Sequence, residues 1–231
     1  ILAQVQPVPR DIPIEMPLPG WLLAGILVFS FLLHILFVNL MVGGSILTLV
    51  TEIMGLKNPK FDKLSRKIGS TITVNKSLAV VLGVAPLLTI NTLYTVYFYS
   101  ANALTGNLWI SIVPLVTLAF LLSYWHKYNW DKFQNRKRQH IAIVAVSTLL
   151  FLFVPLIFLT NVNLMLFPER WGEVQGFFSA MFMRNVIPRY FHFLAGSLAI
   201  TGLFLFWYFN RKKYKEDETV DGFTKNELKR K

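Results

Sequence analysis

Apolar positions dominate five stretches of the chain, residues 21–51, 74–99, 108–125, 141–159 and 190–210, and polar or basic segments separate them. At 1.5 Å per residue, each stretch crosses most or all of a hydrocarbon core about 30 Å thick. The pattern predicts an all-α membrane bundle of five transmembrane helices over residues 21–210, preceded by an outer segment 1–20 and followed by a basic tail 211–231. The first stretch is longer than a bilayer needs, so it tilts or projects beyond the lipid. Pro86, Pro114 and Pro155 fall inside the second, third and fourth stretches and predict kinks there. Between the last two, residues 161–189 mix apolar and aromatic side chains with few charges. A short interfacial helix is expected over 174–183, on the outer surface or over a cofactor.

Composition agrees with this class. With 54% hydrophobic residues and a mean hydropathy of +0.50, the chain is a membrane protein and not a soluble globule. Cysteine is absent, which excludes disulfides, thiolate metal sites and covalently attached c-type haem on this chain. No internal repeat is visible, which weighs against a repeat-built transporter. Ile1-Leu2-Ala3-Gln4 would suit the end of a removed export signal, or a start inside a longer chain.

Charge then predicts orientation. Lys57, Lys60, Lys63, Arg66 and Lys67 lie between the first two stretches, and Lys127, Lys132, Arg136, Lys137 and Arg138 between the third and fourth. Arg211, Lys212, Lys213 and Lys215 follow the fifth. The opposite segments hold only Arg10, Arg170, Arg184 and Arg189. The Lys/Arg bias puts the N-terminus outside and the C-terminus inside. The net charge of +11 is therefore a topology signal, divided among segments beside anionic headgroups, and does not point to nucleic acid.

Two histidines interrupt this apolar pattern. His34 lies inside the first stretch and His192 inside the last. Each precedes the basic or acidic end of its helix, Glu52 or Arg211, by a similar count, so both sit about 27–28 Å from one membrane face. An imidazole at such depth serves as an axial haem ligand, a proton relay or a bond to a neighbouring helix. Ala195, Gly196 and Ala199 leave a shallow groove beside His192, which suits a flat macrocycle or close helix packing. Val38, Met41 and Ser45 line the corresponding face beside His34. By contrast, His126 and His140 flank the basic loop 127–139 and are expected to be solvent-exposed. Asn75 and Lys76 open the second stretch at the inner side, where Lys76 snorkels to headgroups or contacts a quinone or haem propionate.

The segment Leu33-His34-Ile35-Leu36-Phe37-Val38-Asn39-Leu40-Met41-Val42-Gly43-Gly44, with Leu49-Val50-Thr51-Glu52 after it, resembles the first helix of subunit I of the cytochrome bd quinol oxidases. Arg189-Tyr190-Phe191-His192-Phe193-Leu194-Ala195-Gly196-Ser197 is similar to that family's fifth helix. The resemblance covers most of this chain and the N-terminal half of the family's length. It implies that His34 and His192 are axial ligands of haem iron near the outer face, holding one or two haem b groups. A sixth ligand at His192 would come from Met165, Met181, Met183 or a partner chain, or be absent, and one haem bridged by both histidines is the other arrangement.

Arg184 and Arg189, at the outer edge, are candidates for holding haem propionates. Quinone is a further possible ligand. The implied partners are other membrane subunits and a periplasmic c-type cytochrome, and the implied location is a prokaryotic inner membrane. Three features depart from the family. Asn39 replaces a proline, residues 108–125 hold no carboxylate, and the family's quinol-binding loop has no counterpart. The expected role is thus electron transfer within a complex and not oxygen reduction by this chain alone. The competing expectation is a scaffold or anchor subunit without a cofactor.

Overall fold

In a computed structural model, which describes residues 15–210 and leaves the side chains of 73–77 undescribed, the chain is helical throughout, with no strand among the described residues. The N-terminal part of the expected outer segment, the basic tail 211–231 and the Asn75–Lys76 pair of side chains lie outside the described residues. Seven α-helices follow in order: α1 Gly20–Gly55, α2 Pro59–Leu93, α3 Thr95–Thr105, α4 Asn107–Tyr128, α5 Lys137–Leu166, α6 Phe177–Met181 and α7 Val186–Phe209. Four of them are long and apolar enough to cross a membrane by themselves, or five spans exist if the bent α2–α3 pair is counted as one.

That bend is a departure from the expected single second span over 74–99, in which the sequence predicts a kink at Pro86 and not at Tyr94. α2 ends at Leu93, where Tyr94 leaves helical backbone (φ −129°, ψ 39°), and α3 sets off at 111° to the last turns of α2. Thr92 and Thr95 flank the break, and their hydroxyls donate to the carbonyls of Leu88 and Asn91, at 3.0 and 2.7 Å. Such back-bonding competes with the helical ladder and bends it. Pro86, Pro114 and Pro155 all lie within helices that continue past them. The expected interfacial helix over 174–183 contracts to the five-residue α6, preceded by a 3-10 stretch Pro168–Glu173.

The spanning helices alternate in direction, so α1 and α7 run parallel, and the described chain begins and ends at opposite ends of the bundle. Small residues let α1 approach two neighbours at once. A side chain at Gly43 would collide with the Ser197 carbonyl of α7, and one at Gly44 with Ile72 of α2. The core is Met41, Val42, Ala79, Ala119 and Phe151, drawn from α1, α2, α4 and α5, with Phe193 and Leu194 of α7 packed against it.

Hydrogen bonds between helices run through this core. Ser147 donates to the Ala119 carbonyl at 2.9 Å, and Ser123 donates in turn to Ser147 at 2.7 Å. In an apolar surrounding such groups must be satisfied internally.

The Gly20 end is capped by α3, α6 and the 3-10 stretch around a satellite core of Ala101, Leu164, Trp171 and Ala180. The Trp171 indole donates to the Leu164 carbonyl at 2.9 Å. Along its length the bundle's outer surface is apolar: Phe29 and Val81 are each 67% exposed. A surface of this kind is stable against lipid or a partner and not against water.

Candidate functional site

At the Gly55 end, three helices bring a carboxylate and two imidazoles into one buried cluster. Glu52 comes from the last turn of α1, His126 from the last turn of α4 and His140 from the first turn of α5. α4 and α5 form a short-looped antiparallel hairpin, so residues flanking its loop meet across the turn. Glu52 and His140 have fully buried side chains and that of His126 is 5% exposed. This corrects the expectation that His126 and His140 face solvent. The loop between them is basic and exposed, but the rings turn inward, under the loop and against Trp130 and Phe133.

The geometry is specific. Glu52 Oε2 lies 2.6 Å from His126 Nε2, and Glu52 Oε1 lies 2.5 Å from His140 Nδ1. The two imidazoles stack, with centroids 3.9 Å apart and planes 20° from parallel. His140 Nε2 donates to the backbone carbonyl of His126 at 2.9 Å. That bond fixes the ring and leaves Nδ1 as the nitrogen turned to the carboxylate. Lys137 Nζ lies 3.3 Å from Oε1, the oxygen that also faces His140, 2.5 Å from Asp62 Oδ1 and 3.9 Å from the centre of the Trp130 ring. Glu52, Asp62 and Lys137 together carry one excess negative charge. A buried charge needs a partner, and a proton shared with an imidazole or a metal cation supplies it. The three donor groups offer ligand atoms within 4.8 Å of one another.

His34 sits higher on α1 and is half-buried. Its Nδ1 donates to the Ala79 carbonyl of α2 at 2.8 Å, and its ring occupies the space left by Gly83, where a Cβ would come within 2.9 Å of Cε1. Among the described residues its Nε2 has no hydrogen-bond partner. His192 is exposed on the outer surface of α7 and likewise unbonded. Gly196, beside it, has no protein atom within 4 Å of a built Cβ, so the groove is open.

The two histidines are level but diverge. Asn39 pairs with Ser197 across the parallel α1–α7 seam, and both histidines stand five residues before those partners. Gly43 and Thr201 mark the faces in contact. Nine residues back along a 3.6-residue helix turns a side chain through about 180°. Each imidazole therefore projects away from the seam, and the structure does not bring them together.

The remaining predicted residues separate. Met165 and Met183 pack against the satellite core at the Gly20 end, and Met181 is half-buried at the end of α6. Met183 and Arg184 also line a cavity of about 160 Å³ with Asn163, Phe167, Glu169, Arg170 and Asn185. That is close to the roughly 150 Å³ that holds one benzene ring, too small for a porphyrin. Arg189 is exposed on α7, one turn before His192.

Sequence reasoning missed the Glu52 cluster. A usable signal existed, because pairing the third and fourth stretches as a hairpin places His126 opposite His140, and the depth count places Glu52 at that same end.

No family model, no curated protein and no solved structure matches this chain, so the bd-oxidase resemblance rests on its residues alone.

Proposed function

We propose that this chain is a haem-b subunit of a membrane electron-transfer complex, with His34 as an axial ligand. The observation that carries the reading is the state of His34. Its Nδ1–H is held by the Ala79 carbonyl, which sets the tautomer, orients the ring and leaves the Nε2 lone pair available for iron. A metal-ligating histidine is held in this way. The opposite projection of the two imidazoles favours two separate haems over one bridged between them. His192, with the open groove at Gly196 and with Arg189 one turn away for a propionate, would hold a haem at the bundle's outer surface, where a partner subunit completes the enclosure.

A haem supplies a one-electron carrier, and its potential depends on axial ligation and on the low-dielectric surroundings. The chain's own residues set spacing and orientation. Electrons would pass between quinol or a neighbouring haem and a periplasmic c-type cytochrome, with the Gly55 end in the cytoplasm of a prokaryotic cell, as the Lys/Arg bias favours.

The test is a reduced-minus-oxidised visible spectrum with pyridine haemochrome quantitation on the purified chain and on His34→Ala and His192→Ala. The expected result is a b-type signal lost stepwise. A folded chain without haem overturns the reading and leaves a scaffold subunit.

A further inference from the structure

The geometry points to a divalent-cation site of zinc type at the Gly55 end, held by Glu52, His126 and His140 and independent of any haem. Two imidazoles and a carboxylate are a common three-ligand zinc set that leaves a fourth position for water. Here the three donors come from three different helices, so an ion would fasten the ends of α1, α4 and α5 together.

Three observations distinguish this cluster from an ordinary ion pair. All three side chains are buried, so the set is shielded from solvent. His140 already has the outer-sphere bond of a metal ligand, with Nε2–H on the His126 carbonyl and Nδ1 facing the other donors. Glu52 and Asp62 together outweigh Lys137 by one negative charge, which a bound cation offsets. The nitrogen–oxygen separations of 2.5 and 2.6 Å must widen to about 3.3 Å, the edge of a tetrahedron with bonds near 2.0 Å. Rotation of the unbranched Glu52 side chain supplies this change, and the stacked imidazoles, with planes 20° from parallel, must splay so that both ring nitrogens face one ion.

Lys137 is the counter-argument built into the site, since its ammonium lies 3.3 Å from Glu52 Oε1. Its shorter contact with Asp62 Oδ1 at 2.5 Å and its place over Trp130 hold it beside Oε1, the oxygen that also faces His140, so its charge competes with an ion for that oxygen and lowers the site's affinity. Removal of that charge should therefore tighten metal binding, whereas a pure ion-pair cluster gains nothing from it.

The experiment uses the full chain in detergent, purified without a histidine tag, stripped with chelator and titrated with Zn²⁺ or Co²⁺ alone. Metal content is read by mass spectrometry and the cobalt geometry by visible absorption. Stoichiometric zinc, a tetrahedral cobalt spectrum, loss of both in Glu52→Gln and His140→Ala, and at least about tenfold tighter binding in Lys137→Met are expected. A folded, stripped chain that takes up neither ion overturns the proposal. So does zinc binding that survives His140→Ala, or Lys137→Met binding no more tightly than the parent. Haemochrome quantitation on the same samples separates this outcome from that of the haem reading.

Discussion

Ser197 Oγ donates to Asn39 Oδ1 at 2.8 Å across the seam between α1 and α7. The backbone carbonyl of Asn39 also accepts from Thr201 Oγ1 at 3.1 Å. Asn39 thus offers both its side chain and its main chain to the same helix face. Interhelical hydrogen bonds in membranes average about 0.6 kcal/mol and reach about 1.7. Asn39→Leu should destabilise the bundle by about 1 kcal/mol, measured by unfolding in mixed detergent. An unchanged midpoint would mean that the seam is held by packing alone.

Gly43 and Gly44 separate two kinds of crowding. A methyl at Gly43 meets the Ser197 backbone carbonyl, which cannot move without moving α7, whereas one at Gly44 meets the side-chain end of Ile72. Overpacking a close contact costs roughly 1–3 kcal/mol. Gly43→Ala should fall in that range and Gly44→Ala at or below its lower edge. The same unfolding assay, run side by side, reads the difference.

Gly83 makes room for the His34 ring, with Cε1 2.9 Å from where a Cβ would stand. Gly83→Ala should push the ring off the Ala79 carbonyl while the helices remain in place. On the haem reading, the b-type absorbance falls or shifts although unfolding is little altered, and a spectrum identical to the parent would contradict His34 as a ligand.

Glu52 is fully buried between two imidazoles and a lysine. Breaking a buried ionic cluster by removing one partner costs roughly 3–5 kcal/mol, because the remaining charges stay desolvated. Glu52→Ala should be the most destabilising of these substitutions in metal-free protein, with the loss concentrated where α1, α4 and α5 meet. Amide hydrogen exchange at the Gly55 end reads this directly.

The chain contains no cysteine, so single cysteines report its orientation without background. Lys60, after α1, and Phe178, in α6, are both exposed and lie at opposite ends of the bundle. An impermeant maleimide added to intact cells should label Phe178→Cys at once and Lys60→Cys only after permeabilisation. The reverse pattern would invert the topology.

The helical class and four of the spans were legible in the sequence because each depends on local composition, although α5 runs on to Leu166, seven residues past the expected end of its span. Apolar runs of bilayer length must be helical when no water is present to satisfy the backbone. Thus α4 starts at Asn107, beside Gly106 (φ 59°), as the Gly-Asn pair suggests. The bend at Tyr94 was not legible, since Thr92 and Thr95 carry a weak local signal inside an otherwise unbroken apolar run. The levels of His34 and His192 followed from counting along parallel helices, but their facing did not.

By itself the sequence determined an all-helical membrane bundle, a cysteine-free chain with asymmetric basic loops, and two imidazoles at one depth. These are properties of segments one at a time. Tertiary structure decided which helix faces meet. Gly43 draws α7 onto one side of α1 and turns both deep histidines away from the shared seam, and the α4–α5 hairpin turns His126 and His140 inward onto Glu52. Whether an ionisable side chain is buried depends on its neighbours in space. For Glu52 the imidazoles lie 74 and 88 residues away along the chain, beyond the reach of any local pattern.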